Sequence, residues 1–203
     1  MNQEQLLLKR FVPQGKISKN SESIIGYEHY GVLHKFGLSP SVLPASFRGM
    51  DLVSCNRHYK VIACRNINGG FECFNEYVGL FTLDKDGITV NNVYQSRRSK
   101  ECCLFTNILD YMSYLTLCSI KSVSLPRYCD CIILNTEKNY NAFNLECDHY
   151  QFIHCFFPKY VSGMTLEKTL FTEFKGRIDS YTKQYDNNSS LLEYVSNFNK
   201  ITL

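Results

Sequence analysis

Cysteine, histidine and acidic side chains are the ones through which this chain could hold a metal, attack a substrate or move a proton. Their spacing decides which. The ten cysteines contain no Cys-x-x-Cys pair and no zinc-knuckle spacing, so a structural zinc site has no support. Cys129 and Cys131 flank Asp130 in a Cys-x-Cys arrangement, which would bind a metal only if further ligands converged on it from elsewhere in the fold. His29, His34, His58, His149 and His154 form no metal-spaced cluster. His154 sits inside an apolar run, the setting of a satisfied core histidine, and Cys102 and Cys103 begin another such run, where a thiol is inert. Neither Gly69-Gly70 nor Ser162-Gly163 has the strand, glycine spacing and lysine of a Walker phosphate loop.

Charge is informative locally rather than globally. A formal net charge of +3 over 203 residues is too small to demand a polyanionic partner. Two basic clusters stand out, Lys9, Arg10, Lys16 and Lys19 near the start, and Arg97, Arg98 and Lys100 in mid-chain. Each reads either as solvated loop charge or as a set of phosphate contacts. Tyr77, Tyr94 and Tyr160 are candidates for base stacking, with core packing or plain surface as the alternative. With 44% hydrophobic and 20% charged residues the chain is expected to be soluble and globular. No apolar run approaches the roughly 20 residues of a membrane-spanning helix. With no secretory signal, reduced core cysteines in a cytoplasmic protein are expected.

The elements that must position these residues are readable from hydrophobic period. In Cys102 to Leu117 (CCLFTNILDYMSYLTL), apolar Cys103, Leu104 and Phe105 form a short strand. Ile108, Met112 and Leu115 then recur at i, i+4 and i+7, one face of a helix. Thr106 and Asn107 occupy the turn between them, where ligands bind at the carboxyl end of a parallel sheet. Further strands are expected at Cys131 to Leu134, Phe152 to Phe157 and, in brief, Arg177 to Asp179. Helices are expected at Glu137 to Cys147, Thr165 to Phe174 and Ser190 to Asn199, the last capped by Ser189 or Ser190. Repeated βα units imply a parallel sheet flanked by helices. Upstream, residues 1–22 read as a partly ordered arm and Ser23 to Phe36 as a short helix. His58 to Cys64 and Phe71 to Tyr77 read as strands joined by the Asn66 to Gly70 turn, and Gly87 to Tyr94 as one more strand. Residues 23–100 are thus a small, mostly antiparallel α+β unit, and 101–203 an α/β domain.

Four segments, taken in order, resemble the Toprim domain in the divergent form found beside primase-like and mobilisation proteins of bacterial mobile elements. Residues 104–115 (LFTNILDYMSYL) resemble that family's strand-Glu-Gly-helix segment, of the form FEGFMDYLSYL. Residues 132–136 (IILNT) resemble its second strand, and 153–163 (IHCFFPKYVSG) the strand that ends in Asp-x-Asp followed by a small residue and Gly. Residues 66–79 (NINGGFECFNEYVG) resemble its glycine turn and strand, and the 189–199 tail matches a segment of the form SSLYxGYKDLNE weakly.

The resemblance implies a Toprim-like parallel sheet in which a Glu and two Asp hold Mg²⁺ for phosphoryl chemistry. This chain departs from the pattern at each of those places. Thr106 stands for the Glu, Asn107 for the Gly, and Pro158 and Tyr160 for the two Asp. None of these side chains offers a carboxylate. Asp110, Asn135 and Gly163 remain as scaffold, with Ser113 and His154. Asp110 reads as a helix-start charge or a loop hydrogen bond, with a residual metal role as the alternative. Asp130 and Asp148 precede their strands and belong at the opposite edge.

The expectation is therefore a catalytically degenerate, primase-related protein without a Mg²⁺ site. It would act as an accessory or nucleic-acid-binding factor in mobile-element replication or mobilisation, with DNA or RNA touched through Arg97, Arg98 and Lys100 close to the former site. The alternatives are a module that docks on a replication or mobilisation protein without nucleic acid, and an active metal-dependent primase or nuclease.

Overall fold

The structure is a computed structural model that describes residues 18–54, 57–94, 97–120, 124–185 and 187–201. Lys9, Arg10, Lys16 and Cys55 lie outside the described residues, as does the side chain of Lys19. Two five-stranded sheets carry the fold. The first contains β1 (Ser18–Ser23), β2 (Phe47–Ser54), β3 (Arg57–Arg65), β4 (Phe71–Asn75) and β5 (Gly79–Leu83) in chain order. All four of its pairings are antiparallel. Helix α1 (Tyr27–Lys35) lies between β1 and β2 in the chain.

The β3 to β4 turn is where the sequence places it. Asn66 Oδ1 accepts the Asn68 and Gly70 N–H groups at 3.0 and 2.9 Å, and Gly69 takes the left-handed φ of 82° that the turn needs. Residues 18–22, expected in an arm, instead belong with Ser23 to an edge strand. Its six residues, SKNSES, carry no apolar side chain, so its order rests on a backbone ladder to β2 that no hydrophobic pattern announces.

The second sheet runs β10-β9-β7-β8-β6. Its strands β7 (Glu101–Phe105), β8 (Asp130–Ile133), β9 (Phe152–Phe156) and β10 (Ile178–Ser180) are parallel. Strand β6 (Thr89–Asn91) pairs antiparallel with β8. The strand expected at Gly87 to Tyr94 thus joins the second sheet, although it precedes residue 100. Four helices follow: α2 (Ile108–Ser119), α3 (Tyr140–Cys147), α4 (Val161–Glu173) and α5 (Leu191–Ile201). Helix α4 begins four residues before the expected Thr165, because Val161, Ser162 and Gly163 are helical without extending the core-facing stripe of Leu166, Leu170 and Phe174.

Period-2 alternation sets the layers. From β7, Cys103 and Phe105 enter a core built with α1, α2 and α5 and with Phe47, Ile62 and Phe74 of the first sheet. Cys102 and Leu104 enter a second core with Phe143 of α3 and Leu170 of α4. The parallel sheet is therefore buried on both faces, which is why its strands read as unbroken apolar runs. Phe105 is 0% exposed and packs on Phe156 at 5.3 Å and Tyr111 at 5.4 Å between ring centroids. Burying such a ring contributes about 2–3 kcal/mol. The nine described cysteines are free, eight of them buried, and no described helix is long and apolar enough to cross a membrane.

Candidate functional site

Strands β7, β8 and β9 end on one side of the parallel sheet, and the segments leaving them wall a cleft of about 930 Å³. Thr106, Asn107, Asp110, Asn135, Pro158, Tyr160 and Gly163 all line it. Seven positions from three separate segments are thereby brought together. Leu80 and Thr82 of the first sheet close one wall, and Asp86, Glu137, Lys138 and Ser190 add polar groups.

Asn107 organises the β7 to α2 turn. Its extended backbone, φ −152°, places it as the helix cap, and its Oδ1 accepts the N–H groups of Leu109 and Asp110 at 2.9 and 3.1 Å. Its Nδ2 donates to Asp110 Oδ2 at 2.9 Å and Thr106 Oγ1 at 3.1 Å. Asp110 is 1% exposed, and its Oδ1 accepts the Leu192 N–H at 3.3 Å. Burial pushes its carboxyl up to about 6, with the Leu192 and Asn107 hydrogen bonds opposing that rise. The hydrogen-bonded reading of Asp110 is the observed one. Its partners are the turn before it and the start of α5.

Across the cleft, Asn135 takes a left-handed φ of 65° and donates Nδ2 to Gly87 O at 2.8 Å and Thr89 Oγ1 at 2.9 Å. Asp86 accepts from Thr136 Oγ1 at 2.9 Å, Asn139 Nδ2 at 2.9 Å and its neighbour Gly87 N at 3.0 Å. Gly163 lies so close to Pro158 that a Cβ there would collide with the proline carbonyl oxygen. Tyr160 precedes α4, and burial raises its phenol. Nothing in the sequence marks Asp86, Glu137 or Ser190 as a cleft residue, although Glu137 and Ser190 are expected at helix starts. Asp86 lies in the turn before β6, and nothing local says that this turn faces the segment leaving β8.

The basic segment goes elsewhere. Arg97, Arg98 and Lys100 precede β7 at its amino end, six residues from Thr106, roughly 20 Å along an extended chain. Their expected position close to the former site is corrected by strand polarity: a chain entering a strand and the turn leaving it lie at opposite edges. Arg98 pairs with Glu146 at 2.5 Å, and Arg97 lies over the Tyr94 ring at 4.9 Å. Asp130 is at this same edge, as expected, accepting Val93 N at 2.8 Å, Ser99 N at 2.9 Å and the Tyr150 hydroxyl at 3.2 Å. Asp148 is exposed and faces Arg177 at 3.3 Å. Tyr77 is 73% exposed on the first sheet's turn and does not reach the cleft.

Two sheets of this order, with helices against the second and a cleft at its carboxyl edge, define a mixed α/β protein. No protein-family model and no curated relative matches the chain. Among solved structures, the primase fragment of the bacteriophage T7 primase-helicase protein is similar with a TM-score of 0.59 and 13% identity. The match covers 93% of this chain and 79% of that one. At this identity the likeness is one of fold.

Proposed function

We propose that this chain is a Toprim-like, primase-related protein that has lost metal-dependent catalysis and serves as an accessory, nucleic-acid-binding factor in the replication or mobilisation of a mobile element. The observation that carries this reading is that Thr106, Pro158 and Tyr160, at the positions the resemblance gives to carboxylates, share one cleft. Mg²⁺ takes a near-octahedral set of oxygen ligands, usually anchored by one or two carboxylates. Asp110 is buried against Asn107 and Leu192, and Asp86 is committed to Thr136 and Asn139. Among the described residues no three acids of the cleft bring their oxygens together. With the Asp110 and Asp86 carboxylates held by the protein's own donors, the reading leaves the ion out of the cleft and assigns no catalytic step to it.

Nucleic-acid contact is assigned to the exposed Arg97, Arg98 and Lys100 as a surface separate from the cleft. The test is fluorescence anisotropy with single-stranded DNA and RNA. Binding is expected to weaken severalfold or more between ~50 and ~200 mM salt, with little sequence preference. Replacing Arg97 and Arg98 together by Ala should weaken it further. Absence of binding at low salt sinks this role.

That outcome would favour the second reading, a protein-docking module. Helix α4 supports it, because Val161, Met164 and Phe171 share an outer face and are 80%, 43% and 42% exposed. Calorimetric binding of Mg²⁺ or Mn²⁺ that disappears in Asp110→Ala would instead favour the reading as an active metal-dependent enzyme.

A further inference from the structure

At the sheet edge opposite the cleft, three strands bring three metal-ligating side chains to one point. Glu101 opens β7, Cys129 immediately precedes β8, and His154 lies in β9. Cys103 is in register with Cys131 on one side and His154 on the other. Glu101 and Cys129 each lie two residues before Cys103 and Cys131, and so fall on the same face. His154 Nε2 is 3.0 Å from Glu101 Oε2, and Cys129 Sγ is 3.8 Å from the same oxygen. One ligand atom from each residue lies within 4.8 Å of the other two.

We infer that Glu101, Cys129 and His154 form a site for a zinc-class divalent cation, clipping β7, β8 and β9 together at their amino ends. The donor set selects the metal. A thiolate sulfur, an imidazole nitrogen and a carboxylate oxygen suit Zn²⁺ or Co²⁺, whereas Mg²⁺ and Ca²⁺ want oxygen alone. One thiolate and one carboxylate neutralise a divalent charge. Bonds of 2.0–2.3 Å in a tetrahedron place ligand atoms about 3.3–3.8 Å apart, so the trio needs only small rotamer adjustments to close on an ion.

The second layer agrees. Asp179 of β10 is in register with His154, and its Oδ2 lies 3.9 Å from Nδ1. Nδ1 is buried without a hydrogen-bond partner. With Nε2 on the metal, Nδ1–H points toward a carboxylate, the usual orientation for a metal-bound imidazole. The Glu101 side chain is 44% exposed, which leaves a route for the ion and a fourth position for water. The Cys-x-Cys spacing lacked ligands from elsewhere, and tertiary pairing supplies two of them to Cys129. The site is independent of what the cleft does.

The test uses the full chain, stripped with a chelator and titrated with Co²⁺ and then Zn²⁺. One Co²⁺ should bind with a thiolate-to-cobalt charge-transfer band and the visible bands of tetrahedral cobalt, and Zn²⁺ should displace it. Cys129→Ser should abolish the charge-transfer band, and His154→Ala should weaken binding about 100-fold. Asp179→Asn should weaken it about 10-fold through the imidazole alone. His58→Ala, on an exposed histidine beside Asp51, should change nothing. The inference is overturned if the wild-type chain takes up neither ion at micromolar concentration, if the band survives Cys129→Ser, or if His58→Ala is as damaging as His154→Ala. Should Cys129→Ser fail to fold, Glu101→Gln at the half-exposed ligand decides: a loss of about 10-fold or more supports the site, and unchanged affinity overturns it.

Discussion

Asn107 donates its side-chain amide to Asp110 Oδ2 at 2.9 Å while its own carbonyl oxygen caps α2. One residue thus both starts the helix and occupies the carboxylate closest to it in the chain. Replacing Asn107 by Ala removes the cap and a donor to a buried carboxylate. A loss of about 2 kcal/mol is expected in urea unfolding. The Asp110 carboxyl should rise further, because a hydrogen bond that favours its ionised form is gone. Carboxyl-carbon NMR shifts against pH measure this directly.

Asp110 also makes stability depend on pH. Its folded value of about 6 lies above the ordinary 3.8. Between those values the folded state holds a proton that the unfolded state has released, so stability falls as pH rises through the window from about 4 to about 6. The integrated loss is about 3 kcal/mol, from roughly two units at 1.36 kcal/mol each. Subtracting the stability profile of Asp110→Asn from that of the wild type should isolate this slope. A flat difference would contradict it.

At Asn135 the backbone and the side chain can be separated. Asn135→Ala should cost about 2–3 kcal/mol, since alanine resists the left-handed φ and the bonds to Gly87 and Thr89 are lost. Asn135→Gly restores the conformation but not the bonds, and should recover about 1 kcal/mol of that. Equal losses would show that φ carries no cost here.

Asp130 is predicted to be structural. Its carboxylate takes two backbone N–H groups and one tyrosine hydroxyl while 0% exposed. Asp130→Ala strands those donors, and a loss of at least ~3 kcal/mol is expected. Tyr150→Phe removes one of them and should cost about 1 kcal/mol. Hydrogen exchange at Val93 and Ser99 should accelerate in Asp130→Ala and not in Tyr150→Phe.

Two glycines should respond with opposite sign. Gly163→Ala forces a methyl group against the Pro158 carbonyl and should destabilise by about 1–3 kcal/mol. Gly31 lies within α1, and a methyl group added there would meet nothing within 4 Å. Gly31→Ala should therefore stabilise by about 0.5–1 kcal/mol. Thermal melts of the two single variants settle both.

What the amino-acid order determined by itself is local. The run Cys103 to Phe105 followed by the Ile108, Met112, Leu115 period specifies strand, turn and helix, because burial on both sheet faces and on one helix face leaves those signatures in any chain. That Thr106, Pro158 and Tyr160 carry no carboxylate is equally local, being a matter of residue type at the positions the resemblance picks out. Tertiary structure decided what lies beside what. Strand β1 needed the partner β2 to be a strand at all, and β6 was read correctly as extended yet assigned to the wrong neighbours, since pairing with β8 bridges about forty residues. Strand direction, invisible in composition, sent Arg97, Arg98 and Lys100 to the far edge from Asn107 and Asp110. The same pairing brought Glu101, Cys129 and His154 together from positions 28 and 53 residues apart. Register is a property of two strands, and neither strand's own sequence contains it.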